Sequence, residues 1–227
     1  MNFLNVLQEV TPLLMRGMLI TVETTILALI FAFILGLFIC WMGISNRKTP
    51  RLIARIYIWI IRGTPLLVQT FFVYFGIPQL LQSLGLNFRL SSFTAGVITL
   101  SINAAAYIAE IFRGGIQAID KGQMEAARSL GLSYPRAMLR IIIPQAFRIS
   151  IPALVNQFII SLKDTSIISV ISLAEIVYEA KIYIGRTMQS FTVWTIVGGF
   201  YLLIITLLSQ LSRYIEKRLD YGSKGNS

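Results

Sequence analysis

Histidine is absent from this 227-residue chain, cysteine occurs once, and charge is scarce. Without imidazole, the side chain that titrates nearest neutrality and the commonest metal ligand are both missing, so only carboxylates, tyrosine and lysine remain for acid–base work. The lone Cys40 lies inside an apolar run, which excludes a disulfide within the chain. Asp, Glu, Lys and Arg together make up 13% of residues, about half the share of a soluble domain. No GxxxxGK[ST] phosphate loop, HExxH or GxSxG occurs, so neither a nucleotide site nor a hydrolytic centre is expected, and the chain reads as no enzyme. Residues Met1–Thr11 carry no basic stretch, so no cleavable signal peptide is expected.

What the chain does have is apolar length. It is 56% hydrophobic with a mean hydropathy of +0.73. Crossing roughly 30 Å of hydrocarbon takes about 20 apolar residues in a helix. Five stretches qualify: 18–42, 53–82, 93–112, 141–162 and 194–212. The second is interrupted by Arg62, Pro65 and Pro78, and the fourth by Pro144 and Pro152. The predicted fold is therefore all-α and polytopic, a single domain over residues 1–227.

The net charge of +10 would suggest nucleic acid in a soluble protein, but here the basic residues gather between apolar runs, as in cytoplasmic membrane loops. Arg47, Lys48, Arg51 and Arg55 follow the first span. Arg113, Lys121, Arg128, Arg136, Arg140 and Arg148 follow the third, and Arg213, Lys217, Arg218 and Lys224 follow the fifth. That is 14 of the 20 Lys and Arg on one side, which predicts the N-terminus outside, the C-terminus in the cytoplasm and residues 175–192 outside. Five spans do not divide into two equal halves, which argues against a complete carrier built from inverted repeats.

The longest cytoplasmic segment, 113–144, is long enough for structure of its own. Asp120 is placed to cap a helix over good helix formers. Gly131 is placed to end that helix at positive φ, and Ser133 and Pro135 to start another. Glu125, Ala126 and Ala127 are expected to present a small flat surface. The stretch Glu125–Pro144 reads EAARSLGLSYPRAMLRIIIP. It resembles the EAA loop of ABC importer permeases at Glu125, Ala126, Ala127, Gly131, Ile141 and Pro144, with Ile143 where leucine is usual. The stretches RGTPLLVQ at 62–69, AYIAEIFRGGIQAIDKGQ at 106–123, PQA at 144–146 and LKDTSIISVI at 162–171 resemble the polar amino acid branch of that group, the histidine/glutamine/arginine type. The likeness covers most of residues 12–220.

This resemblance implies a permease subunit that pairs with a second permease copy, in the bacterial cytoplasmic membrane, around a central path. It implies a cytoplasmic ABC ATPase dimer that binds ATP and Mg, leaving no cofactor in this chain, and an extracytoplasmic solute-binding protein. Glu125 and Arg128 would contact the ATPase, with Gly122 and Gly131 bounding the coupling helix. The alternative is a stand-alone secondary amino acid carrier or channel subunit.

Polar groups at membrane depth are costly and point to function. Glu23, Leu67, Gln69, Asn103 and Asp164 fall at similar depth and are read as substrate-lining. Asp164 is expected at a helix break over Lys163–Ser166 that frees backbone amides, the other reading being a pair with Lys163 or Lys181. For Asn103 the other reading is an interhelical hydrogen bond. Glu23 departs from the family pattern, and its carboxylate favours arginine, lysine or histidine as substrate, the other reading being a carboxyl paired elsewhere. Arg62 and Glu110 are expected to form a buried ion pair between spans two and three, with Tyr107 closing the cavity from below.

Overall fold

The computed structural model describes residues 3–224, with side chains through Tyr214. The Lys217, Arg218 and Lys224 side chains that entered the charge count lie outside the described side chains. Ten α-helices account for nearly all of the described backbone, joined by short π and 3-10 turns and with no strand among the described residues. They are α1 (Phe3–Ile44), α2 (Lys48–Gly63), α3 (Leu66–Phe71), α4 (Ile77–Ser83), α5 (Ser92–Gln117), α6 (Lys121–Ser129), α7 (Tyr134–Ala137), α8 (Ile143–Ile168), α9 (Ile176–Thr187) and α10 (Ser190–Lys224). Four helical stretches are long and apolar enough to cross a bilayer. The broken run from α2 through α4, bent by 105°, makes a fifth.

The centre of the bundle is the seam between α1 and α5. Ala32, Ala104, Ala105 and Ala109 are buried there beside Ile39, Ile108 and Phe112. Small side chains let two backbones approach closely, which is how helices associate where lipid supplies no hydrophobic drive. Several buried hydroxyls on these helices are satisfied within their own turns, the Thr24 hydroxyl being an exception. Thr21, Thr25, Thr99 and Ser101 donate to the carbonyls of Gly17, Thr21, Ala95 and Val97 at 2.6–3.0 Å. With no water available in the hydrocarbon, that local arrangement removes the cost of a hydroxyl.

Three boundaries differ from expectation. The first span is part of a 42-residue helix, because Val6, Val10 and Leu14 are buried against Ile176, Ala180, Tyr183 and Val193 and hold its N-terminal third in place. Gly17 lets α9 seat on α1, since a Cβ there would lie 2.7 Å from the Ile176 Cα. In the fourth span, α8 continues through Pro152, while Pro144 lies at its start, directly after the π turn Met138–Ile142 that leads the helix in from α7. Lys163–Ser166 is helical, not a break. The Thr165 and Ser166 hydroxyls donate to Leu162 and Lys163 carbonyls at 2.7 and 2.6 Å, and the helix ends later, at a 3-10 turn with Ser172 at φ 63°.

Candidate functional site

Two regions carry the polar residues singled out from sequence. The first is the hairpin between α5 and α8. Asp120 caps α6, its Oδ1 accepting from the Gly122 amide at 2.6 Å. At the other end Gly131 takes φ +85°. The Gly131 amide donates to Arg128 and the Leu132 amide to Ala127, at 3.0 and 3.2 Å. This paired closure needs a residue free to adopt the left-handed region. Ser133 then precedes α7 with Pro135 in its first turn, as the sequence predicts. Glu125, Ala126, Arg128 and Gly131 face solvent, and Leu130 is 84% exposed. Ala127, expected on that outer surface, is buried instead. The turn brings α7 back over α6, and Ala127 and Ala137 are both enclosed.

The second region surrounds the break at Gly63–Pro65. Gln69 reaches back across it. Its Nε2 donates to the Ile61 carbonyl and the Thr64 Oγ1, both at 2.8 Å, with the Thr64 carbonyl at 3.1 Å. Its Oε1 accepts from the buried Asn103 Nδ2 at 3.0 Å. This is an interhelical hydrogen bond, the alternative that the sequence left open for Asn103 beside its reading as substrate-lining. Below the break, Arg62 donates to Glu110 at 3.4 Å and lies 5.3 Å from the centroid of the Tyr107 ring. Arg113 holds the same carboxylate at 2.7 and 2.8 Å. The expected pair thus forms as a triad, but it is not buried: the Arg62 and Glu110 side chains are 44% and 24% exposed. Tyr107 packs under the guanidinium, an arrangement the spacing of Asn103 and Tyr107 did not suggest. A cavity of about 320 Å³ lies between the broken span and α5, walled by Thr64, Val68, Gln69, Phe72, Thr99 and Ile102.

Glu23, Leu67 and Asp164 are not joined to this network by any hydrogen bond or ion pair among the described residues. Leu67 is exposed on α3 and Glu23 on α1. Asp164 is half-buried, and Lys181, one of its expected partners, donates to Ser169 Oγ instead at 3.0 Å. Ile168 and Thr24 both pack at Gly96, and α1 runs parallel but α8 antiparallel to α5. Glu23 therefore lies one residue to one side of that level and Asp164 about one turn to the other, toward Asn103, and the similar depth expected for these residues is not met. Asn103 sits about two turns further along α5.

Sequence reasoning missed Glu175. Its Oε1 caps α9 by accepting from the Tyr178 amide at 2.7 Å, and the side chain is fully buried beside Tyr201 and Lys181. Burial pushes its carboxyl up to about 7, against the pull of the backbone amides and Lys181. The available signal was an acidic residue directly before an apolar helical run, which marks an N-cap. Its depth had no sequence signal, because it depends on Gly17 admitting α9.

Residues 32–221 match the family described as "Binding-protein-dependent transport system inner membrane component". The chain is 41% identical over 206 residues to the probable glutamine ABC transporter permease protein GlnM of Bacillus subtilis (strain 168), covering 91% of this chain and 93% of that protein. It is 37% identical over 208 residues to the arginine transport system permease protein ArtQ of the same organism, covering 92% and 93%. Among solved structures, an amino acid ABC transporter crystallised with histidines aligns at TM-score 0.88 and 42% identity, over 96% of this chain and 99% of that one.

Proposed function

Because the chain belongs to the binding-protein-dependent transport system inner membrane component family, we propose that it is the permease subunit of an ATP-driven importer of polar or basic amino acids. It is a multi-pass membrane protein whose relatives are transport subunits and not enzymes themselves. The observation that carries the reading is the α6–α7 hairpin: a capped helix, a glycine-closed turn and an exposed Glu125–Arg128 edge at the end of a polytopic bundle. In this reading that edge docks into a separate cytoplasmic ABC ATPase, which binds ATP and Mg. The N-terminus is outside and the C-terminus in the cytoplasm, following the arginine and lysine bias. A second permease copy and an extracytoplasmic binding protein complete the assembly.

Substrate passes along a face carrying Glu23, Leu67, Gln69, Asn103 and Asp164. Glu23 and Asp164 supply carboxylates for an ammonium or cationic side chain, and the Gln69–Asn103 amide pair offers donors and acceptors beside the break in the second span. The relatives bear the names of glutamine and arginine systems, and Glu23 favours the cationic choice. The deciding experiment is uptake of radiolabelled arginine, lysine and glutamine in proteoliposomes holding this chain, its ATPase and its binding protein. ATP-dependent uptake of one of them supports the reading. Uptake that proceeds without ATPase would overturn it in favour of a stand-alone carrier. Glu23→Gln should lower arginine uptake more than glutamine uptake, and equal losses would remove the carboxylate from the substrate argument.

A further inference from the structure

A second cavity, of about 550 Å³, opens between α1, α2 and α5 at the ends of these helices that face the cytoplasm in the orientation above. Gly43 and Ile44 at the end of α1 floor one side, and Arg113 and Gln117 in the last turns of α5 another. The α2 wall is a single stripe, Arg51, Ala54, Arg55, Ile58 and Trp59, at the three- and four-residue spacing that aligns one helix face. Three guanidinium groups therefore converge on one hollow, opposed there by the single carboxylate of Glu110.

Their hydrogen-bonding capacity is unequally used. Arg113 spends Nε and Nη2 on Glu110 and Nη1 on Gln117. Arg51 gives Nε and Nη2 to the Ser45 carbonyl at 3.0 and 2.7 Å. Arg55 has no hydrogen bond or ion pair among the described residues. With the Arg113 charge matched by Glu110, two cationic groups and most of their N–H donors are left facing an open space. An anion of phosphate type matches that donor set, because guanidinium forks bind oxyanions two N–H groups at a time.

The surroundings narrow the source of the anion. Leu52, Ile56 and Ile60, all exposed, run along α2 beside the arginines, and Trp59 at the cavity rim is 77% exposed. Tryptophan favours the boundary between headgroups and hydrocarbon. A soluble oxyanion would leave this apolar flank uncovered, whereas a molecule with a phosphate head and long chains covers both. We propose that this cavity holds the phosphodiester headgroup of an anionic phospholipid of the cytoplasmic leaflet, clamped by Arg55 and Arg51 with its acyl chains lying along α2. Basic pockets between membrane helices on the cytoplasmic side recognise such lipids by this chemistry. The proposal rests on the orientation proposed above but not on the transported substrate.

The test uses Trp59 as the reporter. The chain has three tryptophans, Trp41, Trp59 and Trp194, so W41F/W194F leaves Trp59 alone. The full-length protein is placed in nanodiscs of phosphatidylcholine doped with either brominated phosphatidylglycerol or brominated phosphatidylcholine at equal mole fraction, and quenching of Trp59 is titrated. The expected result is half-maximal quenching at a several-fold lower fraction of the glycerol lipid. Arg55→Gln and Arg51→Gln should each remove most of that preference, and Arg55→Lys, which keeps the charge but not the fork, should retain part of it. Equal quenching by the two lipids overturns the proposal, as does no quenching by either, the outcome expected if another protein surface covers α2. Displacement of the brominated lipid by millimolar inorganic phosphate also overturns it, in favour of a soluble oxyanion site. Because no uptake is measured, failure here is separable from failure of the importer reading.

Discussion

Gln69 should be the most sensitive polar residue in the broken span. Replacing it with alanine removes two amide protons from the Ile61 and Thr64 acceptors and the Oε1 that accepts from Asn103. The two local bonds contribute about 1 kcal/mol each, and an interhelical bond between membrane helices about 0.6 kcal/mol. Gln69→Ala should therefore cost about 2.5 kcal/mol, and Asn103→Ala, which leaves the local bonds in place, only about 0.6 kcal/mol. For a chain of this size, each kcal/mol moves the thermal midpoint by about 2–4 °C. The expected drops are about 5–10 °C and about 1–2 °C. Gln69→Glu should fall at least as far as Gln69→Ala, since an ionised carboxylate cannot donate to either carbonyl. Heating purified protein and measuring the monodisperse fraction by size-exclusion chromatography reads all three. Equal losses for Gln69→Ala and Asn103→Ala, or a Gln69→Ala midpoint unchanged within about 1 °C, would show that the amide does not hold the break together.

Three further outcomes follow from other parts of the molecule. Gly131→Val forces a β-branched residue into φ +85°, at about 1–3 kcal/mol, and should lower uptake per ATP hydrolysed while insertion is unchanged. Normal coupling in that variant counts against the hairpin's role. The Glu175 carboxyl, raised from 4.5 to about 7 by burial, favours the folded state fully below about 4.5, and that contribution is lost as pH rises to about 7. Stability should thus fall across this window by an amount on the order of 3 kcal/mol, and Glu175→Gln should flatten the pH dependence of the thermal midpoint, whereas parallel curves would refute the assignment. Asp164→Asn should reduce uptake per assembled complex more than it reduces assembly, as measured by quantifying both in the same proteoliposomes; the reverse pattern makes Asp164 structural.

Much of this was readable from local patterning. The spans follow from apolar length, and the hairpin from Asp120, Gly131, Ser133 and Pro135, each of which acts on backbone within a few residues of itself. The second span's break was signalled by Pro65 and Arg62, but its 105° angle was not, because it depends on Gln69 bridging from α3 and Asn103 anchoring it from α5. The break expected over Lys163–Ser166 does not form. In hydrocarbon the Thr165 and Ser166 hydroxyls close onto carbonyls of the preceding turn and the helix persists. Ala127 was placed on the wrong side because a motif read as a linear string does not reveal which residue the returning α7 encloses. In the sequence, Arg51 and Arg55 read only as charge that sets orientation. Their convergence with Arg113 arises from the register of α2 against α5.

The 42 residues of α1 form a rod of about 63 Å, seated at one end against Ile176 through Gly17 and at the other beside the Arg51-bound turn. Such a rod transmits displacement without stretching. Pivoted at mid-membrane, a tilt of about 5° would swing its two tips about 3 Å in opposite directions. In the importer reading, widening at one rim would then accompany narrowing at the other, and the two mouths of the proposed path would be linked by leverage before any side chain changes partner.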